Sequence, residues 1–358
     1  MKYLSEEPSF NRLVKRTARY YDMWPDEIIK DYFMMMALKA VVKEDPNLVM
    51  KGGTSLSKAY NIIKRFSEDV DIAVSLNEKY SLSKSKLNRD KYRSVSRGLT
   101  ATGLDFEAAD SNFGISERRN MNVIALRLPV KLTQTSLLDY VKIEEETFSP
   151  AFPIEKRLVQ SYLGRFIQEK TKGYSEVLEN YPELKSFSVL VQRPERTMAD
   201  KLMAIADDYL HDRLYPDAPK TAVRSRDLYD ISQINKYLDS TDYDWSKFPK
   251  LFSAVRRERF LGDQKTAISA DPKYNVGKLI ELALQDKKLE YADDFSRNTT
   301  GLLTGHESRL SFDKLLQQVS SLIRQPNFRV LWVKQPEYPY TTKKQDRHSL
   351  SKKKGRER

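Results

Sequence analysis

Two aspartates separated by one residue, Asp69 and Asp71, are the side chains in this sequence that are best suited to chemistry. They lie in the alternating stretch EDVDIAVS, residues 68–75, which is typical of a strand with one buried face. Residues two apart on a strand leave the same face, so both carboxylates point one way while Val70 and Ile72 point to the core. Carboxylates this close repel each other unless a cation lies between them. The pair predicts a site for a hard divalent cation such as Mg²⁺, although a D-x-D pair is also common on solvent-facing strands.

The preceding stretch KGGTSLSK, residues 51–58, has the composition of an anion-binding turn. Two glycines and two hydroxyl residues there open a helix, where free backbone N–H groups and the helix dipole favour phosphate. The glycines are adjacent and Lys58 follows a serine, so the spacing does not match a P-loop. We expect Thr54 or Ser55 to be the N-cap of a helix that runs to residue 66. Taken alone, the stretch fits a phosphate cradle or an ordinary capped helix.

A third carboxylate on a neighbouring strand is commonly needed for two-metal phosphoryl transfer. The alternating segment LDYVKIEEET, residues 138–147, predicts such a strand and places Lys142, Glu144 and Glu146 on one face. Glu144 is our candidate because it lies in the middle of the strand. The run of glutamates also fits a solvent-exposed strand, but together with the phosphate-binding turn and the aspartates it indicates a site for a nucleoside triphosphate and metal ions.

The elements that must position these residues alternate between helix and strand up to about residue 150 and are helical from about residue 195. Helices are predicted for residues 25–44, 196–210, 226–238 and 311–325, and further strands for residues 47–51 and 122–130. The predicted fold class is α+β, with a mixed or antiparallel sheet that carries helices and a mainly helical C-terminal part. We divide the chain into a core at residues 1–150, a helical region completing the site at 151–240, a C-terminal helical domain at 241–340, and a basic disordered tail at 341–358.

Composition limits the classes of protein that this sequence can represent. The absence of cysteine excludes disulfides and thiolate metal sites. The longest apolar stretch, residues 32–42, is too short to span a bilayer, and the first residues turn polar before a signal-peptide core forms, so we expect a cytoplasmic protein. The formal net charge of +12 favours a polyanionic partner. Residues 343–358 supply eight basic and two acidic residues, a pattern that also suits a purely solubilising tail.

The segment LVMKGGTSLSKAY…RFSEDVDIAV closely resembles the first motif of the AbiEii/AbiGii-type nucleotidyltransferases. This family belongs to the DNA polymerase β-like superfamily and includes toxins of bacterial abortive-infection and type IV toxin–antitoxin systems. Two later matches follow in the same order: KIE at residues 142–144, and ADKLMAI…RDLYDI at residues 199–205 and 226–231. The resemblance covers roughly residues 25–240 and implies a polymerase β-like nucleotidyltransferase core.

Site residues follow from this resemblance by position. It implies that Asp69, Asp71 and Glu144 bind Mg²⁺ or Mn²⁺, that Lys201 contacts nucleotide phosphates, and that Asp227 supports the site. The nucleotide-binding set that we expect comprises Gly52, Gly53, Thr54, Ser55, Lys58, Arg65 and Lys201. The gap between Lys201 and Asp227 is longer here than in the shorter family members.

Three of these residues have alternative interpretations in the pattern itself. Lys201 lies beside the apolar stripe of its helix, which also suits a lysine that extends from the edge of the core. Asp227 also suits the acidic first turn of a helix or a partner for Arg226. Arg65 is equally compatible with a solvated position. The three histidines are scattered without metal-ligand spacing, and we assign them no role.

We therefore predict a Mg²⁺-dependent nucleotidyltransferase that transfers NMP from an NTP to an RNA acceptor. The resemblance points to the 3′ end of tRNA as one acceptor and to a toxin neutralised by a separately encoded antitoxin. One alternative is a transferase of the same superfamily that modifies a protein side chain. Another is a non-catalytic nucleic-acid-binding protein on the same scaffold.

Overall fold

A mixed sheet forms the centre of the fold in the computed structural model, which describes residues 2–81, 83–108, 121–133, 137–262, 265–304 and 310–334. Its strands are β1 (Val49–Lys51), β2 (Asp69–Ser75), β3 (Phe106–Ala108), β4 (Met121–Arg127), β5 (Tyr140–Ala151), β6 (Ile154–Val159) and β7 (Phe187–Gln192). Their order across the sheet is β3-β4-β5-β2-β1-β7-β6. The pairs β2–β5 and β1–β7 are parallel, and the other neighbouring pairs are antiparallel.

Helices surround this sheet and form the C-terminal part of the described chain. They are α1 (Phe10–Tyr21), α2 (Pro25–Glu44), α3 (Gly52–Lys58), α4 (Leu76–Ser81), α5 (Lys84–Thr100), α6 (Tyr162–Lys170), α7 (Tyr174–Asn180), α8 (Pro194–Leu214), α9 (Ser225–Ser240), α10 (Phe248–Gly262), α11 (Val276–Asp286), α12 (Lys288–Asp294) and α13 (Phe312–Leu322). None of the described helices combines the length and the apolarity that crossing a membrane requires.

The predicted α+β class, with a mixed sheet and a helical C-terminal part, is confirmed. The helix expected at residues 25–44 has these bounds in the structure, with proline in its first turn. The segment 151–240, which we expected to be helical, also contributes β6 and β7, so this part of the expectation was wrong. The alternation of apolar and polar residues does not reveal these strands, because each is only 6 residues long and β6 contains three charged residues. The predicted tail at 341–358 lies outside the described residues.

The helix after the glycine pair differs from its prediction at both ends. It begins at Gly52 instead of at a Thr54 or Ser55 cap, and it ends at Lys58 instead of at residue 66. Both hydroxyls are used elsewhere, since Ser55 donates to the Gly52 carbonyl at 2.8 Å and Thr54 donates to the carbonyl of Asp69. The chain then turns through Asn61, whose φ of 53° is incompatible with a continuing helix.

The two faces of the sheet differ in polarity where β2 and β5 meet. Val70, Ile72 and Val74 are at most 1% exposed, and Val70 and Ile72 belong to the main hydrophobic core, against which α2 and α5 pack. The opposite face carries the carboxylates considered below. The alternating pattern of β2 therefore fixes which side of the sheet is buried, because a strand turns successive side chains to opposite faces.

Glu145 lies on the buried face between the two glutamates of the polar face, and this position gives folding stability a pH dependence. Its side chain accepts a hydrogen bond from Asn122 Nδ2 at 2.8 Å, but burial raises the pKa of Glu145 to about 7. Between about pH 4.5 and 7 the folded protein therefore retains a proton that the unfolded chain releases, so this carboxyl lowers stability as the pH rises.

We expect Glu145→Gln to remove this contribution. The unfolding free energy of the variant minus that of the wild type should increase from pH 4.5 to pH 7 and stay constant above pH 7. Urea unfolding across this range measures it, with the exposed Glu176→Gln as the matched control. A difference that does not change with pH would contradict the assignment.

Candidate active site

The pairing of β2 with β5 brings the candidate carboxylates together. These strands are parallel, with Asp69 opposite Lys142 and Asp71 opposite Glu144. Residues directly opposite each other in a sheet leave the same face, so these four side chains are neighbours. β1 lies on the other side of β2 and places Lys51 opposite Asp71. Two strands that are near in sequence, β1 and β2, and the distant β5 thus contribute charged side chains to one small area.

A cleft of about 520 Å³ separates this face of the sheet from helices α8, α9 and α10. Gly52, Gly53, Arg65, Asp69, Asp71, Glu144, Lys201 and Asp227 are the predicted site residues that line it. Charged side chains also line the helical wall: Asp200, Asp207 and Asp208 on α8, Arg224 and Arg226 around the start of α9, and Arg259 on α10. The carboxylates of the sheet therefore face a wall of mixed charge across a space that can hold a small polyanion.

Gly52 and Gly53 are packed so closely by neighbouring side chains that a Cβ atom at either position would collide with one of them. Gly52 has a φ of 68°, and a Cβ atom there would lie 2.1 Å from Asp71 Oδ2. A Cβ atom on Gly53 would lie 2.6 Å from Arg65 Nη2 and 2.7 Å from the Ser67 hydroxyl. Glycine is therefore required at Gly52, for its backbone conformation as well as for space, and a side chain at Gly53 would have to displace the Arg65 guanidinium or the Ser67 hydroxyl.

We expect Gly52→Ala to displace the Asp71 carboxylate and to destabilise the protein by about 1–3 kcal/mol. Gly103→Ala is the matched control, because Gly103 has a φ of 71° with no atom within 4 Å of its added Cβ. The control measures the backbone strain alone, and the larger loss in Gly52→Ala, measured by chemical denaturation, reports the collision with Asp71. Equal losses in the two variants would exclude that collision.

Like charges raise the cost of ionising this cluster. Burial and the adjacent Glu144 carboxylate raise the pKa of Asp71 to about 7, and the two side chains are close enough to share a hydrogen bond. Burial also raises the pKa of Asp69, against the opposing attraction of Lys142. Shifts of this kind, from desolvation combined with a neighbouring like charge, are typical of functional carboxylates, and a bound cation would reverse them.

The polar face of β1, β2 and β5 has a charge balance that suits a divalent cation. It carries the carboxylates of Asp69, Asp71, Glu144 and Glu146 and the ammonium groups of Lys51 and Lys142. Four negative and two positive charges leave an excess of two negative charges when every group is ionised. All the anionic donors are hard oxygen atoms, as Mg²⁺ prefers.

The carboxylates are nevertheless not arranged around a single point in this structure. Among the described residues, no three carboxylate or imidazole groups are close enough together to hold a metal ion. Lysines occupy the intervening positions: Lys142 Nζ lies 3.3 Å from Asp69 Oδ2 and 3.1 Å from Glu144 Oε1, and Lys51 pairs with Glu146. The donor chemistry thus fits a divalent cation, while ammonium groups supply the positive charge in this structure.

The helical wall positions Lys201 through two buried aspartates. Lys201 Nζ lies 2.5 Å from Asp227 Oδ1 and 2.9 Å from Asp230 Oδ2. Asp230 is fully buried and also accepts from Arg65 Nε at 2.8 Å and Arg65 Nη2 at 2.7 Å. Burial opposes ionisation, but Lys201 and then Arg224 hold the pKa of Asp227 below its usual range. The long insertion between Lys201 and Asp227 therefore does not separate these residues.

Arg65 joins the two walls of the site. It is only 4% exposed, which excludes the solvated position that its sequence also allowed. Its guanidinium pairs with Asp230 of α9, donates to the Phe66 carbonyl at 3.0 Å, and contacts the position where a Gly53 side chain would lie. Arg65 thus supports the glycine turn from the helical side.

Three residues of the predicted nucleotide-binding set do not line the cleft: Thr54, Ser55 and Lys58. The hydroxyls of Thr54 and Ser55 bind backbone carbonyls, as described above. Lys58 is 4% exposed, pairs with the buried Asp31, and lies with its Nζ 3.3 Å from the ring centre of Tyr162. Its ammonium is therefore directed into the protein and away from the cleft.

The structure adds cleft residues that motif analysis missed, notably Lys51, Arg226 and Arg259. Lys51 precedes the glycine pair and Arg226 precedes Asp227, so adjacency to the motifs was a usable signal for both. Arg259 had no such signal. It reaches the cleft from α10, where it pairs with Asp207 at 2.8 Å and with Asp200 at 3.7 Å.

Comparison with known proteins agrees with this geometry. A family model described as the nucleotidyl transferase AbiEii toxin of type IV toxin–antitoxin systems matches residues 36–318 of the 358. No curated protein sequence matches the chain. The family match covers well over half of the chain, includes all the carboxylates of the cleft, and extends through α10 into α13. The chain therefore belongs to the AbiEii family of nucleotidyl transferase toxins.

Proposed function

We propose that this protein transfers a nucleoside monophosphate from an NTP to a hydroxyl group of an RNA acceptor with the help of Mg²⁺ or Mn²⁺. The acceptor oxygen forms a bond to the α-phosphorus, the bond between the α-phosphorus and the β-phosphate breaks, and pyrophosphate leaves. The observation that carries the proposal is the placement of Asp69, Asp71 and Glu144 on one face of two adjacent strands, beside the Gly52–Gly53 turn and across a cleft from Lys201. Nucleotidyl transfer needs little covalent chemistry from the protein. It needs an anion-binding turn, carboxylates that hold metal ions, and cations that balance the charge of the triphosphate.

Asp69, Asp71 and Glu144 would hold the metal. When bound, it would neutralise charge on the phosphates and favour attack by an acceptor hydroxyl. The donor chemistry and the raised pKa values of Asp69 and Asp71 support this assignment, because a bound cation would stabilise the ionised carboxylates.

The protein's own residues orient the nucleotide. Gly52 and Gly53 let the backbone of the turn pack directly beside Asp71, Arg65 and Ser67, so its start lies next to the carboxylates at the edge of the cleft. Lys201 and Arg226 present positive charge on the opposite wall of the cleft. Asp227 and Asp230 fix the direction of the Lys201 ammonium. Because this side chain is already ordered, binding a nucleotide costs less side-chain entropy there.

RNA is the acceptor that the charge of the chain favours. The formal net charge of +12 attracts a polyanion even though the cleft face itself is acidic. The 3′ end of tRNA is the specific acceptor that we propose, and it presents the hydroxyl that such a transfer requires. Membership of a type IV toxin–antitoxin family implies a cognate antitoxin as a further partner.

Label transfer tests the proposal directly. Purified protein is incubated with Mg²⁺ or Mn²⁺, each of the four α-labelled NTPs, total RNA and cell extract, and the RNA and protein fractions are then separated. We expect label in the RNA fraction, concentrated in tRNA, and its loss in Asp69→Ala. Label in the protein fraction would show a protein acceptor, and labelling that is unchanged in Asp69→Ala would contradict the proposed site.

A further inference from the structure

Lys142 has no role in the proposed transfer, yet it contacts two of the three carboxylates that we propose as metal ligands. Its Nζ lies 3.3 Å from Asp69 Oδ2 on β2 and 3.1 Å from Glu144 Oε1 on its own strand. The three side chains are 17–27% exposed, so solvent only partly screens this interaction. The contact joins the two strands that must supply the metal ligands.

The strand register brings these three side chains together. Lys142 lies directly opposite Asp69, and Glu144 lies two residues further along the same face. A lysine at this position can reach both carboxylates, because directly opposite and diagonal neighbours on one face of a sheet lie within the length of its side chain. The neighbouring strand repeats the arrangement, because Lys51 lies opposite Asp71 and pairs with Glu146.

We propose that Lys142 is an internal counter-ion that stabilises the carboxylate cluster of the metal-free protein and competes electrostatically with the divalent cation. Without a cation, Asp69, Asp71 and Glu144 repel one another across adjacent strands, and Lys142 offsets part of this repulsion. A bound divalent cation makes that contribution unnecessary, because it places two positive charges on a single small ion beside the carboxylates. The ammonium and the metal need not occupy the same point, since both act on the same two carboxylates.

Thermodynamic linkage turns this competition into a prediction. A group that stabilises only the metal-free state lowers the apparent affinity for the metal by the same free energy. Lys142 would thereby keep the site from binding a divalent cation tightly until the nucleotide brings its own charge and ligands. The inference rests on the proposed metal site, but it concerns cation binding and can be tested without any transfer reaction.

The test measures Mn²⁺ binding and thermal unfolding of the full chain without nucleotide. We expect Lys142→Met to bind Mn²⁺ about 5-fold or more tightly than the wild type, as followed by the EPR signal of free Mn²⁺. In EDTA the same variant should unfold at a lower temperature than the wild type, and saturating Mn²⁺ should narrow that gap. Lys142→Gln provides the same comparison with a polar side chain if the methionine variant folds poorly.

Two further variants separate the charge from the side-chain position. Lys142→Arg keeps the charge and should bind Mn²⁺ like the wild type. Lys156→Met removes an exposed lysine of β6 and should change neither measurement. The inference is overturned if Lys142→Met binds Mn²⁺ no more tightly than the wild type, if the wild type binds no Mn²⁺, or if Mn²⁺ leaves the gap in unfolding temperature unchanged.

These outcomes are distinct from those that decide the proposed function. Tighter Mn²⁺ binding in Lys142→Met with no label transfer by the wild type supports the counter-ion and rejects the transferase. Label transfer to RNA with unchanged Mn²⁺ binding in Lys142→Met supports the transferase and rejects the counter-ion.

Discussion

Replacement of Asp71 by asparagine is expected to lower nucleotidyl transfer by roughly 10²–10³-fold while leaving the fold intact. Asparagine has nearly the same shape as aspartate, so the Gly52 turn can still pack against it. What is lost is the negative charge on β2 at the position that lies opposite Lys51 of β1 and Glu144 of β5. The measurement is the initial rate of label transfer from an α-labelled NTP to RNA at saturating Mg²⁺.

The same substitution should raise the stability of the metal-free protein above pH 7. Burial and the Glu144 carboxylate raise the pKa of Asp71 to about 7, so ionised Asp71 opposes folding at higher pH when no cation is bound. A variant that loses activity but gains stability in EDTA identifies a functional group, because loss of a structural residue would lower both. Asp105→Asn, an exposed acid that precedes β3, is the control and should leave both unchanged. Full activity in Asp71→Asn would remove the basis of the proposed function.

The largest loss of stability is expected for Asp230→Ala, at about 3–5 kcal/mol. Asp230 is 0% exposed and accepts hydrogen bonds from Arg65 at 2.7 and 2.8 Å, and it lies 2.9 Å from Lys201 Nζ. Its removal leaves the Arg65 guanidinium buried without its carboxylate partner. It also removes one of the two carboxylates that pair with Lys201. Chemical denaturation measures the effect, with Asp239→Ala on the exposed side of the same helix as the control.

A double variant separates the lost ion pair from the lost volume. Replacing Arg65 by methionine in addition to Asp230→Leu removes both charges and keeps apolar volume in the space between α9 and the glycine turn. Because buried ion pairs can be exchanged for apolar pairs at little cost, we expect the double variant to be more stable than Asp230→Ala. If the single variant loses no more stability than Asp239→Ala, then Asp230 does not hold the two walls together.

The sequence predicted the orientation of a candidate side chain only where its residue belongs to a recognisable motif and also lies on a strand, which determines the face from which the side chain projects. Asp69 and Asp71 are two residues apart on a strand, so their common face followed from the alternating pattern and is seen in the structure. Glu144 was chosen for its position in the middle of its strand, and the parallel register places it opposite Asp71. Lys58 shows the limit of this reasoning. Its place beside the motif indicated a phosphate contact, but the rotation at the end of a 7-residue helix directs its ammonium to the buried Asp31.

Local pattern alone determined the α+β class, the buried and polar faces of β2 and β5, and the requirement for a small flexible turn before the aspartates. These properties depend on the period of a strand or on the size of one side chain, and both can be read along the chain. The tertiary structure alone decided that β5 lies beside β2, that Lys142 falls between the metal-binding candidates, that Arg259 reaches the cleft, and that the buried Asp230 links Arg65 to Lys201. Strand order and register arise from the packing of the whole core, so no local pattern contains them.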